Sequence, residues 1–443
     1  MIRRLFFFVL VIGALFTACT DDDTFSTSRN NVLTFSVDTV QMDTLFSGVP
    51  SSTYSFWVKN NSGDGIRIQT ARLERGGQSG FRVNVDGSYL DPVASNFEVR
   101  KGDSLRVLVE VTTRENGLEG PQLEEDNLLL TLESGVVQKI NLRTWSWDAE
   151  KIGTLRIERD TVIESSRPII VYDSIVVNSG VVLTLRNTDF YFHSGAHLTV
   201  RGQLLAKNCL MRGDRLDHMF SYLPYDRVKG QWQGIRLLKM SLGNEMENCE
   251  IRNTMDAILC DSADLYMKNC IVHNCEGYGV KGSNSDIELD YCQITNCLSD
   301  CLLADGGIVN VNHSTLAQFY PFSANRGAAL RFNTGKRGVT ISCNNTLATG
   351  YDADVVFGEK SDTTLVYIYK FNNCLLRTDS IDNPEFVKDI IWETPKDSIE
   401  GKKHFKTIDE DKLFYDFTID SISPAFKRQI GRIDSNGTPI TNE

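Results

Sequence analysis

Two patterns of apolar and polar positions divide the chain. Between residues 32 and 148, hydrophobic positions alternate with polar ones in short runs broken by Gly, Asn and Asp. Examples are "YSFWVKNNSGDGIRIQTARL", "GDSLRVLVEVT" and "NLLLTLESGVVQKINLRTW". A period of two marks a half-buried strand, and the turn residues between runs mark its ends. Roughly seven short strands in about 115 residues predict an immunoglobulin-like β-sandwich. This stretch has no cysteine and no histidine, and its acids fall in turns, so nothing in it points to catalysis.

The second pattern is a repeat. "DLYMKNCIVHNCEGYGVKGSNS" from 264, "DIELDYCQITNCLSDCLLADGG" from 286 and "IVNVNHSTLAQFY" from 308 align without a gap at 22 residues. "NEMENCEIRNTMDAILC" precedes them at 21, and "SGVVLTL" (179–185) and "SGAHLTV" (194–200) repeat at 15. Downstream, "NNTL" (344–347) and "NNCLL" (372–376) extend the series with longer loops. A unit this short cannot bury its own apolar face, so coils must stack about 4.8 Å apart and share one core. The pattern predicts a right-handed parallel β-helix over 149–430. Leucine-rich repeats are excluded, because the Leu-x-x-Leu-x-Leu spacing is missing.

The columns of the repeat assign its unusual residues. Cys249, Cys270, Cys292 and Ser314 share one column, and Cys275 lies over Cys297. Free cysteine is a small, adaptable core residue, so these read as inward-facing thiols, not disulfides or zinc ligands. On that reading Cys270→Ser should cost roughly 1–3 kcal/mol, through a poorly paired hydroxyl in an apolar stack. Asn253, Asn274, Asn296 and Gln318 form another column, read as a turn ladder where Asn tolerates left-handed backbone.

Two stretches break the repeat: "GDRLDHMFSYLPYDRVKGQW" (213–232) and "AQFYPFSANRGAALRF" (317–332). Loops on a rigid scaffold are where binding and catalysis concentrate. The aromatics Tyr222, Tyr225, Trp232, Phe319 and Tyr320 suit stacking on sugar rings, with Asp214, Asp217, Asp226, Arg227 and Arg326 beside them for hydroxyls. Both stretches are expected to leave one side of the helix, with Leu216, Phe220 and Leu223 against the scaffold and Asp214, Asp226 and Arg227 paired at the rim. A hydrolase would need two flanking carboxylates, for which Asp214, Asp217 and Asp226 are the candidates. A lyase would use Arg215 or Arg227 as base. "SDC" at 299–301 lacks the second Asp and the Gly-His signature of polygalacturonases. His193, His197, His218 and His273 show no metal-ligand spacing, and no cofactor is expected.

Composition adds an address. The net charge of −12 over 443 residues shows no Lys/Arg cluster, which excludes nucleic acid as a partner. "MIRR" followed by the apolar "LFFFVLVIGALF" is a signal peptide over 1–18. "FTAC" leads into Cys19 and resembles a lipobox, which makes Cys19 the acylated new N-terminus and 19–31 an acidic linker. "TDDD" directly after it resembles a surface-export signal.

Several segments together are similar to a family of Bacteroidetes lipoproteins with right-handed parallel β-helix repeats. They are "FYFHSGAHLTVRGQLLAKN", "MRGDRLDHMFSYLPYDRVKGQWQGIRL" and "FYPFSANRGAAL" in the helix, and "FSVDTVQMDTLF", "FRVNVDG" and "LRTWSWDAE" in the sandwich. "YDFTIDSISPAF" resembles the family's closing coil, and 431–443 reads as a polar tail. The resemblance implies an architecture and an address, not a reaction. The expected protein is a monomer, lipid-anchored in the outer membrane and facing the exterior, acting as a non-catalytic module for polysaccharide. The alternatives are a β-helix lyase or hydrolase of acidic glycans, and a structural envelope component. If Cys19 carries the lipid, the native protein should partition into detergent and Cys19→Ala should remain in the aqueous phase. A Cys19→Ala protein that still partitions into detergent would overturn the anchor.

Overall fold

The computed structural model describes residues 24–394, 401–434 and 436–441. Cys19, the signal peptide and the acidic run 20–23 lie outside the described residues. The chain divides into two compact units, Met1–Trp147 and Asp148–Glu443.

The first unit is the immunoglobulin-like sandwich. One sheet runs in the order Thr34–Phe35, Tyr54–Lys59, Ser104–Val111, Phe81–Val85, Ser88–Tyr89. The other runs Thr39–Phe46, Val137–Trp147, Gln122–Leu132, Ile66–Leu73, Val93–Val99. Alternation does what the pattern requires: Ile66, Ile68, Ala71 and Leu73 of one strand enter the core with Phe56, Val58, Val107 and Val109 from the facing sheet. The described residues of this unit form ten strands, not seven, because two-residue strands such as Thr34–Phe35 are too short to show a period.

The second unit is the β-helix. Twenty-four strands, from Glu150–Ile157 to Ile391–Trp392, join in one continuous sheet whose paired strands run parallel. Each coil contributes to three faces. On the second face Met246, Met267, Leu289, Val311, Cys343 and Phe371 stack in register and point inward. On the third face Ile251, Val272, Ile294, Leu316, Ala348 and Leu376 do the same.

The corner between the second and third faces explains Cys209, Cys249, Cys270, Cys292 and Cys374. Asn187, Asn208, Asn248, Asn269, Tyr291, His313, Asn345 and Asn373 all have φ between 45° and 54°. This left-handed conformation favours Asn among residues with a side chain. The residue after each is Thr188, Cys209, Cys249, Cys270, Cys292, Ser314, Thr346 or Cys374. Every one of these donates its S–H or O–H to the carbonyl two residues earlier, at 2.6–3.4 Å. The corner therefore selects a small side chain with one donor, and all ten cysteines among the described residues are free and buried. Outside the corner the Asn amides bond each other from coil to coil, as in Asn208 to Asn187 at 2.9 Å and Asn269 to Asn248 at 2.8 Å. Where Tyr291 and His313 interrupt the amides, their rings stack at 5.0 Å. The second Asn column behaves similarly: Asn253, Asn274 and Asn296 have φ of 63°, 60° and 56°.

Three expectations need correction. The helical sheet ends at Trp392, not near 430. "YDFTIDSISPAF" is not a closing coil: Phe414–Ile419 pairs antiparallel with Phe405–Asp409, and Pro424–Lys427 is a short helix. This segment lies across the outer side of the third face, where Phe405, Phe417, Ile419, Ala425, Ile430 and Ile433 pack on Ala317, Phe319, Leu347 and Leu375. A period of two fits a strand in either setting, so the sequence could not distinguish them. Nor is the polar tail free at its start. Arg432 donates to Tyr291 O at 3.1 Å and Asn269 Oδ1 at 2.9 Å, and Ile433 is fully buried.

The hydroxyls of Ser314 and Thr346 satisfy the corner as the thiols do, which revises the expected cost of a serine. Cys270→Ser should change the unfolding free energy by less than about 1 kcal/mol, because the new hydroxyl inherits the Lys268 carbonyl. Cys270→Leu should cost about 1–3 kcal/mol by overpacking the corner. Denaturant unfolding of the two variants tests the difference, and a serine as damaging as the leucine would refute the corner rule.

Candidate functional site

The outer side of the third face carries two rows of side chains. One reads Asp189, Leu210, Glu250, Ile271, Gln293, Thr315, in register. The next contains Tyr191 beside Arg212, then Arg252, His273, Thr295 and Ala317. Outward polar rows need water or a cover. Here three segments cover them: both insertions and the C-terminal hairpin.

The first insertion is fixed by its main chain. Asn253 Nδ2 donates to Asp226 O at 2.8 Å and Val228 O at 2.9 Å, and Gln231 Nε2 donates to Tyr225 O and Val228 O. Arg215 grips Asp217 at 2.6 Å and lies 4.3 Å over the Tyr225 ring. Arg227 donates to the carbonyl of Lys412 in the hairpin. The second insertion is held at its start by Asn296 Oδ1, which accepts from Phe319 N at 3.2 Å. It is braced at its end by Asp300, which takes Ala328 N at 2.7 Å and Arg331 at 3.0 Å. The two insertions meet where Lys229 Nζ sits 4.6 Å over the Tyr320 ring.

Between these segments a cavity of about 250 Å³ remains. Its floor is Glu250, Arg252, Ile271, His273, Asn274, Gln293 and Asn296. Asp226 and Arg227 form one wall, Pro321 and Phe322 another, and Leu413, Phe414, Tyr415 and Phe417 a third. Phe322 and Phe414 are about half exposed at the rim. Asp226 Oδ1 lies 2.8 Å from both Arg212 and Arg252, and Arg252 also grips Glu250. Burial alone would raise the Asp226 pKa, but the charges of Arg252 and Arg212 outweigh it and hold the carboxyl below its ordinary value. His273 bonds Thr295 Oγ1 at 2.9 Å. Burial, and then the Arg252 charge, bring its pKa down to about 3, so the imidazole is neutral at physiological pH. Among the described residues no group of His, Cys, Asp and Glu is arranged to hold a metal.

Of the loop residues singled out from sequence for binding, only Asp226 and Arg227 line the cavity, together with Asn274 and Asn296 of the Asn column. Tyr222 is exposed and stacks on Phe220 at 5.7 Å, so Phe220 points away from the scaffold, contrary to expectation. Leu216 and Leu223 are partly buried. Trp232 is fully buried, stacked 4.1 Å on Phe192 with its Nε1 on the Arg252 carbonyl: it plugs the coil where the insertion rejoins it. Phe319 and Tyr320 are also fully buried. Asp214 and Asp217 are buried clamps, not rim charges, Asp214 taking His193 Nδ1 at 2.6 Å. Arg326 turns to Asp352 at 3.9 Å and to the Tyr351 ring at 4.9 Å. Sequence reasoning missed Glu250, Arg252, His273, Gln293 and the hairpin. The available signal was charge and amide at outward positions of coils lying between two insertions.

Residues 156–324 match the model of the family described as right-handed β-helix region. Among solved structures, the chain is similar to a family 123 glycoside hydrolase from Clostridium perfringens, at 8% identity and TM-score 0.19 over 27% of this chain and 26% of that one. It is similar to the catalytic unit of a GH87 alpha-1,3-glucanase from Streptomyces thermodiastaticus strain HF3-3, at 10% identity and TM-score 0.27 over 76% and 91%. A GH87 alpha-1,3-glucanase catalytic domain in complex with tetrasaccharides shows 9% identity and TM-score 0.21 over 74% and 82%. Likeness at these scores carries no argument about activity. No curated protein matches the chain.

One further arrangement imitates a catalytic triad. His404 Nδ1 lies 2.8 Å from Ser423 Oγ and its Nε2 lies 3.2 Å from Glu393 Oε1. All three residues are at most 2% exposed, and Ser423 caps the short helix at 424–427, so no substrate reaches it. The group is a latch: Thr349 of the β-helix donates to Glu393 at 2.8 Å, and Arg377 lies 3.5 Å from it. Burial by itself raises the Glu393 pKa, but the bonds from His404 and Thr349 and the charges of His404 and Arg377 bring it down to about 2, against 4.5 when free. A depressed carboxylate contributes stability that is fully present above the unfolded value and lost as pH falls through the folded one. Glu393→Gln should therefore lose about 3 kcal/mol at neutral pH. The gap to the native protein should close as pH falls from 4.5 towards 2. A gap that stays constant over that window would show that the charge of Glu393 does not matter.

Proposed function

We propose that the protein is an outer-membrane lipoprotein facing the cell exterior, whose β-helix unit binds glycans without cleaving them. The observation that carries this reading is the cavity itself. Three segments outside the regular coil pattern converge on one polar stretch of the scaffold, and they bring aromatic rings at the rim and charged and amide groups on the floor. Apolar faces with a few placed polar groups are the usual make-up of a sugar site. The electrostatics of the cavity support binding without cleavage. A glycoside hydrolase needs one carboxyl protonated as general acid. Asp226 is held ionised by two arginines, and Glu250 is committed to Arg252.

One observation favours a hydrolase as the second reading. Asp189 sits in the same outward row as Glu250, two coils away, and burial and then the Glu250 charge raise its pKa. Two coil steps are about 10 Å, near the upper end of inverting carboxyl separations. A glycan array probed with the full chain, followed by chromatography of the captured glycan, separates the two readings. Binding without shortened products is expected, and Phe414→Ala should weaken it about tenfold at unchanged melting temperature, through the loss of one ring–sugar contact. Release of shortened products would establish the hydrolase, and retention unaffected by Phe414→Ala would move the site elsewhere.

A further inference from the structure

Resting on that reading, we infer that the cavity is built for an N-acylated sugar, with the acyl amide seated between Asn274 and Gln293. The Asn column shows why. Asn253 is occupied by two carbonyls of the first insertion, and Asn296 by the Phe319 N–H of the second. Gln318, which ends the column, donates to Cys297 O at 2.6 Å and Ser299 O at 2.9 Å. Each of these side-chain amides bonds main-chain amides. Asn274 lies between them under the open cavity, and its side chain has no hydrogen-bond partner among the described residues. Gln293, on the outward row one coil further, has none either. The two residues are 6% and 2% exposed.

Two amides that face a cavity without a protein partner take their hydrogen bonds from water or a ligand. Main-chain amides are what this column bonds: Asn253 donates to carbonyls, Asn296 accepts an N–H, and Gln318 does both. The surroundings favour a neutral group with an apolar end. Asp226, Glu250, Arg212 and Arg252 compensate one another, Arg227 is turned to the Lys412 carbonyl, and His273 is neutral. Beside the amides stand Ile271 and the Phe417 ring, a surface suited to a methyl group. On a glycan, a neutral amide bearing a methyl is an acetamido group. The cavity volume equals roughly eight waters at ~30 Å³ each, room for one sugar ring and its acetyl arm.

Saturation-transfer NMR with the full chain tests this, using the methyl glycosides of N-acetylglucosamine, N-acetylgalactosamine, glucose and galactose as probes. The acetylated pair should bind, with the strongest transfer at the acetyl methyl, and at least tenfold more tightly than the unacetylated pair. Gln293→Met keeps the side-chain length and removes the amide, and should bring the two pairs within about twofold. Asn274→Asp keeps a residue that tolerates φ of 60° and removes the donor, and should have the same effect if the first variant fails to fold. Equal binding of all four sugars, weakened by Phe414→Ala, would overturn the acyl preference and leave glycan binding standing. Binding of none of the four would overturn both.

Discussion

The second unit depends on one backbone corner. A residue in left-handed conformation turns the chain from the second face to the third, and the next side chain drops into the core with its donor on the carbonyl two residues back. For an ordinary side chain that conformation costs on the order of 1 kcal/mol. Asn lowers the cost and supplies an amide that bonds the coil above and below, so one residue type meets both demands. Cysteine then appears for reasons of size and donor geometry, not redox chemistry. Burial pushes the Cys270 thiol at this corner, and the Cys297 and Cys343 thiols elsewhere in the core, well above their ordinary pKa, away from the reactive thiolate.

A stack that turns at the same point in every coil lines its outward side chains into rows as regular as the inward ones. Inward rows are satisfied by packing, whereas outward rows must meet solvent or a cover. On the third face the cover is attached through the corner chemistry itself. Asn253 and Asn296 anchor the two insertions, and Arg432 closes the outer ladder by binding Asn269 and Tyr291. The cavity is the part of the face that this cover leaves open, so its floor inherits the rigidity of the coils.

The sequence made the repeat legible because inward positions recur at fixed spacing and tolerate few residue types. Cys249, Cys270 and Cys292 announced the corner even though the reason for cysteine was hidden. The candidate site was far less legible. Trp232, Phe319 and Tyr320 looked like a sugar platform because aromatics in a polar loop suggest exposure. In the structure they are the apolar contacts that pin those loops down, and the loop charges Asp214 and Asp217 are buried clamps. A loop of twenty residues needs its own small core, and composition alone cannot tell that core from a binding surface. The floor residues Arg252, His273 and Gln293 occupy ordinary outward positions, and only knowing what covers them gives them meaning. The hairpin at 405–419 comes from more than a hundred residues away, a pairing that no local period encodes.

On the proposed reading, the roof would make a shallow face selective. A floor of parallel coils offers groups at a fixed spacing but no enclosure, and open surfaces bind weakly because water competes for every polar group. The hairpin that carries Phe414 and Tyr415 is fastened at one end by His404 and Ser423 to buried Glu393, and beyond its other end by Arg432 and Ile433. Arg227 ties its turn to the first insertion. A roof held at three points would lose little freedom on ligand entry, so the proposed contacts to Gln293 and Asn274 would come without a large ordering cost. The same fastening keeps the cavity small. Enclosure and rigidity thus arise together from the C-terminal segment, the part of the chain that the repeat does not predict.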